Sequence, residues 1–255
     1  MSVAAPGLQS RMLQVDKQPL IQKALPTVPL VLIDIIAQFA NETQGGLYGP
    51  DVWKRWKNID ILETVPPAPS VDLRGSILLY IPLRISIDGG KEEILTLTVL
   101  KRICPCSFSY FSRDVEEQFG ETEAFGWVKL DKAVIEESRN KDAIVQKGMV
   151  EAKGCNMQRV MESIALNLIV FDFTGIQLYG CKPWTYNRCN EKVDGLYPVF
   201  VGGFSSAGLI VVHYNTFLDH DYSFGVACAL RSITATRNPS ALVERKKAGV
   251  KKMSV

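Results

Sequence analysis

The chain has 255 residues, 47% hydrophobic and 22% charged, a balance that excludes wholesale disorder and fibrous repeats. Its 29 Lys and Arg stand against 27 Asp and Glu; without the six basic residues and one acidic residue of the last nineteen positions the tally is 23 against 26, so a mildly acidic body precedes a basic tail at 237–255. A body without a basic stripe argues against nucleic-acid binding as the main function and leaves the tail only weak contact with RNA or an anionic membrane.

Residues 1–24 lack apolar periodicity and read as a flexible N-terminus. They carry no apolar h-region of a Sec signal, and six cysteines in the chain is ordinary usage, so a secreted disulfide scaffold is disfavoured. Leu30, Ile33, Ile36, Ala37 and Ala40 fall at helical spacing behind Pro26 and Pro29, which predicts a short helix from about 25 to 40. Residues 51–56 predict a second one. The stiff run 65–70, with Pro66, Pro67 and Pro69, is the best domain boundary, separating a helical segment 25–64 from an α+β domain over 71–236.

A hairpin is expected next, with strands 76–87 and 94–100 joined at Asp88-Gly89-Gly90. Another strand is read at 125–130. The strongest helix spans 156–170, with an apolar stripe of Met157, Val160, Met161, Ile164, Ala165, Leu168 and Ile169 opposite Gln158, Arg159, Glu162 and Asn167; Asn156 suits its N-cap. Strands at 199–201, 209–214 and 224–230 follow. The uncharged run 196–218 contains Pro198, Gly202, Gly203, Gly208, His213 and Asn215, so it reads as strands and a turn rather than a bilayer helix. These elements describe a soluble, cytoplasmic α+β protein: short N-terminal helices, then a mainly antiparallel sheet with one long amphipathic helix.

Several clusters carry chemistry. Gly203 to Gly208 approaches a nucleophile elbow, but β-branched strand sequence follows it where a helix is needed. His213, Asp219, His220 and Asp221 form the chain's one imidazole-and-carboxylate cluster, the donor set a metal-dependent hydrolase or oxygenase would use. Cys104 and Cys106 are spaced too tightly, and Cys181 and Cys189 too widely, for a zinc knuckle. The run 136–142 is densely charged with both signs. Trp184, Tyr186 and Arg188, in an expected loop, combine stacking with bidentate recognition and are the candidate ligand-binding residues. No catalytic set and no cofactor is assigned.

Leu25-Pro26 followed by the apolar helix resembles the start of an F-box. That resemblance implies docking on a Skp1-type adaptor through Leu25, Pro26, Leu30, Ile33 and Ile36. The segments 51–56, 137–141, 183–189, 198–204 and 224–227 resemble proteins of unassigned function from chlamydia-type bacteria living inside protists, which implies export into a host cell. The ending from Val201 to Leu230 is similar to the last strands of C-type-lectin-like domains of the sulfatase-modifying type, although Ala227 stands where that type carries Arg. Together these imply a non-enzymatic binding or adaptor protein, an effector engaging ubiquitin-ligase machinery. The metal-dependent enzyme is the alternative.

Overall fold

Gly49 and Pro50 turn the chain from strand β1 (Gly46–Tyr48) into helix α1 (Pro50–Lys57), where proline's fixed φ suits the first helical position. Asn58, in the left-handed conformation, ends the helix. Trp53 and Trp56 meet edge to face at 5.5 Å on its buried side, and the Trp53 indole N–H donates to the Tyr80 carbonyl at 2.6 Å. The computed structural model describes residues 46–121, 125–179, 185–205, 208–214 and 221–231, so the segments 1–24, expected to be flexible, and 25–40, expected to be a helix, lie outside the described residues with the basic tail.

Strands β2 (Ile59–Ile61), β3 (Ser76–Ile81), β4 (Arg84–Ile87) and β5 (Glu92–Ile94) follow. β4 and β5 form the expected hairpin, with Asp88 and Gly89 both at positive φ, and β2 adds to its other side. The expected continuous strand 76–87 is two strands in two sheets. The Glu63 carboxylate accepts from the amides of Leu83 and Arg84 at 2.7 and 2.8 Å and from the Tyr80 hydroxyl at 3.1 Å, diverting the chain between β3 and β4. The expected strand 94–100 also gives way: Thr96 accepts from the Val99 amide and caps helix α2 (Leu97–Ile103), so local capping prevails over alternation.

Next come β6 (Phe108–Phe111), α3 (Arg113–Phe119), β7 (Gly126–Asp131), α4 (Ala143–Ala152), β8 (Asn156–Met157) and α5 (Val160–Thr174). Strands β9 (Tyr186–Val193), β10 (Tyr197–Ser205), β11 (Gly208–His213), β12 (Phe224–Gly225) and β13 (Cys228–Arg231) complete the described fold. One five-stranded sheet runs β1-β3-β7-β13-β8, parallel only between β1 and β3. A second runs β12-β9-β10-β11-β6, antiparallel in its middle and parallel at both margins. With the β2-β4-β5 sheet and five α-helices among the described residues, the class is α+β.

Helix α5 begins four residues later than the sequence suggests, because Asn156 pairs with Ala229 in the first sheet and Arg159 takes the N-cap position. It is also not amphipathic in place. Twelve of its residues are buried, Glu162 and Asn167 among them, since it packs on β7 of the first sheet, β9 and β10 of the second, and α1. Residues from both sides of the Pro-rich run share this core, from Trp53 and Ile59 to Ile164 and Leu168. The run itself is mostly exposed and is tied down at its start, where Trp127 donates to the Pro66 carbonyl at 2.8 Å and Val65, with Val71 and Leu73 just beyond the run, lies on Leu78, Tyr80 and Trp127. No described helix is long and apolar enough to cross a membrane.

The expected last strand, 224–230, is split between the two sheets. Where the chain crosses over, side chains replace the lost ladder: the Val226 amide donates to Ser138 Oγ at 3.0 Å and the Ala227 amide to Asn187 Oδ1 at 2.8 Å.

Candidate functional site

That crossover brings together three segments far apart in sequence: 136–146, 185–188 and 221–227. Arg139 is the hub. Its guanidinium donates to Thr185 Oγ1 at 2.9 Å and to the Tyr222 carbonyl at 3.0 Å, while its Nε meets Glu136 at 2.9 Å. The Asn140 amide donates to the Asp221 carbonyl, and buried Gln146 on α4 donates to the carbonyls of Ser138 and Phe224 at 2.8 and 3.3 Å. Asp221 closes its own turn by accepting from the Ser223 amide at 2.6 Å. Each bond joins two of the segments or rigidifies one of them, so hydrogen bonds fix the segments relative to one another.

Apolar groups stand in water around this hub. Ile144 is 84% exposed and Val145 44% on the first turn of α4, and Tyr222 is 70% exposed on the 221–224 turn. Asp142 caps α4 by accepting from the Val145 amide at 2.8 Å, which holds that turn in a defined orientation. Beneath lies an aromatic cluster: Phe200 stacks on Phe224 at 4.2 Å, and Tyr186 and Tyr214 meet Phe224 at 5.8 and 5.2 Å. Burial above all, and the nearby Asp221 carboxylate, push the Tyr214 phenol above its ordinary range. Gly203, at φ 55°, lies under the Tyr186 ring, and a Cβ there would strike it.

Tyr186 and Arg188 thus stand on β9 and not in a loop, with Arg188 buried and its guanidinium 5.0 Å from the centre of the Phe200 ring. They support the face from below. Trp184 lies outside the described residues, as do Leu25, Pro26, Leu30, Ile33, Ile36, Asp219 and His220. Of the imidazole-and-carboxylate cluster, Asp221 belongs to the hub, whereas His213 closes β11 among different groups. Its Nδ1 meets Ser112 Oγ at 2.9 Å, its Nε2 meets Asp114 at 3.3 Å, and its ring packs beside Tyr197.

Ser112 is only 3% exposed, and its amide donates to the Val211 carbonyl. The elbow-like stretch near Gly203 joins β10 to β11, strand to strand. Among the described residues no three His, Cys, Asp or Glu side chains gather as a metal-binding group. Burial pushes the Cys104 thiol up to about 12 and raises Cys189 well above its ordinary value, which keeps both protonated.

Sequence reasoning missed Arg139 as the organising residue, and Ile144, Val145 and Tyr222 as the exposed groups. The apolar pair directly behind the charged run 136–142 was the available signal. No family model matches this chain, and neither a curated protein nor a solved structure does.

Proposed function

We propose that this protein is a non-enzymatic binding protein of adaptor type, with the 139/144/222 face as its recognition surface. The observation that carries this reading is the exposure of Ile144, Val145 and Tyr222 on two turns tied to one half-buried, hydrogen-bonded hub. Exposed large apolar side chains on a rigid frame bind with little ordering cost, which is the economy of a preorganised interface. Arg139 keeps the two turns in register but spends its donors internally, so the contact energy comes from the apolar groups and from the tyrosine. The resemblance of 25–40 to an F-box start supplies the second half of the proposal: Leu25, Pro26, Leu30, Ile33 and Ile36 dock a Skp1-type adaptor by helix-in-groove packing, in a host cell.

Affinity capture from a eukaryotic lysate tests both halves at once. Wild type should recover a Skp1-type adaptor and a further partner. A Leu30→Asp/Ile33→Asp variant should lose the adaptor alone, and an Ile144→Ser/Tyr222→Ala variant the further partner alone. Identical sets of captured proteins from all three would overturn the proposal.

A further inference from the structure

Away from that face, two thiols meet where α4 returns to the first sheet. β8 and β13 pair antiparallel with Cys228 opposite Met157 and Ala229 opposite Asn156. Cys155, two residues before Met157, therefore projects to the same side as Cys228 as its diagonal neighbour. Both belong to one apolar cluster with Val150, Met157, Val226 and Ile135. Their exposures differ: Cys228 is buried, and Cys155 is partly open to solvent. The Cys228 thiol also faces the Asp131 carboxylate of β7.

We propose that Cys155 and Cys228 are a reversible thiol–disulfide pair, in which Cys155 meets hydrogen peroxide and Cys228 resolves the product. The Cys155 thiolate attacks one peroxide oxygen and breaks the O–O bond, giving a sulfenic acid and hydroxide, which takes up the proton Cys155 released. The Cys228 sulfur then attacks the Cys155 sulfur. The S–S bond forms, the S–O bond breaks, and the departing hydroxide leaves as water with the Cys228 proton, which Asp131 is placed to receive and pass on. Two thiols lose two electrons to one peroxide, and two waters result.

The geometry permits closure. Diagonal strand neighbours lie about 7–8 Å apart at Cα, slightly beyond the ~6.8 Å upper span of a disulfide, so one side must move inward. Cys155 is outside β8 and follows Gly154, at φ 68°, so a small rotation of the 153–155 turn suffices. Burial foremost, with Asp131 and Cys155 beside it, holds the Cys228 thiol up at about 12, so resolution quickens with rising pH. The product would fasten the end of α4 to the last strand across a long intervening chain, the arrangement in which a cross-link restricts the unfolded state strongly.

The test is to expose the purified full chain to hydrogen peroxide, block remaining thiols with N-ethylmaleimide, and map peptides by mass spectrometry. The expected result is a dithiothreitol-sensitive peptide pair joining Cys155 to Cys228, with a midpoint of thermal unfolding raised by roughly 5 °C. Cys155→Ser, a near-isosteric change at the partly exposed margin of the cluster, should abolish the pair, and Cys106→Ser should leave it intact. Cys155 trapped by dimedone with Cys228 still free after prolonged exposure at alkaline pH would overturn the proposal. So would a cross-link from either residue to a different cysteine.

Discussion

At its N-terminus α5 meets charge, and at its C-terminus it meets rings and a glycine. Glu162 accepts from the Arg159 amide at 2.7 Å and takes both arms of Arg231 at 2.6 Å, while Glu191 of β9 accepts from the Val160 amide at 3.0 Å. Two carboxylates thereby serve amides that no helical carbonyl can reach, at the positive end of the helix dipole. The other end closes locally: the Gly175 amide, from a residue at φ 71°, donates to the Phe171 carbonyl, Phe171 stacks on Phe204 at 4.7 Å, and Asp172 is held by Trp56 and Lys57. At one end the first amides depend on carboxylates, one brought by β9 and the other held by Arg231 of β13; at the other the backbone closes within the helix and the residue just after it, and Phe204, Trp56 and Lys57 hold side chains only. The difference predicts that the N-terminal end is the more costly to disturb.

The sharpest way to break that comparison is Arg231→Met. The Glu162 side chain is 3% exposed, so removing its guanidinium strands a buried charge, a defect that costs about 3 kcal/mol or more. Urea unfolding should show that loss, and Glu162→Gln combined with Arg231→Met should recover a large part of it. A loss below about 1 kcal/mol would show that solvent reaches the pair and that the two ends do not differ in kind.

Glu191 sharpens the comparison through pH. Burial outweighs the Val160 amide and raises its carboxyl from 4.5 to about 7. Because the folded value lies above the unfolded one, the folded state holds the extra proton between them. Its contribution is complete below pH 4.5 and is lost as pH rises through 7. Glu191→Gln keeps an oxygen for the Val160 amide and cannot ionise, so the variant should gain on the order of 2 kcal/mol relative to wild type between pH 5 and pH 8. Parallel stability profiles for the two proteins would sink this account.

The same contrast explains what was legible in the sequence. Period and punctuation alone gave the α+β class, the Asp88-Gly89 turn, the Pro50 helix and the strands β10 and β11, because turns and capping are written within a few residues. The start of α5 was misplaced, since its true cap depends on Glu191 and Arg231, and nothing near Asn156 signals either. The break between β3 and β4 was invisible for the same reason, being imposed by Glu63 from twenty residues upstream. At the candidate site the charged run and the aromatic 184–188 segment were both singled out. Their meeting through Arg139 and Thr185 was not, because a hydrogen bond across 46 positions leaves no local pattern. β9 reads as a loop because Asn187 and Arg188 are polar; the tertiary network around Gln158 and Ser163 makes Asn187 an interior residue, and Arg188 is buried against the Phe200 ring.

Gly175→Ala probes the local end and should have the smallest effect of the three. An added Cβ meets nothing within 4 Å there, so the penalty is purely conformational, the cost of holding alanine at φ 71°. That cost is about 1 kcal/mol, partly offset by the lower unfolded-state entropy of alanine. The helix end has an alternative as well: Thr174 Oγ1 already accepts from the Ile176 amide at 3.0 Å, so the chain can still leave the helix if the glycine turn loosens. Urea unfolding of Gly175→Ala should therefore shift by about a third of the Arg231→Met effect, with an unchanged m-value. An equal or larger shift would place the stronger constraint at the glycine, and the charged end would then be the part of α5 that tolerates loosening.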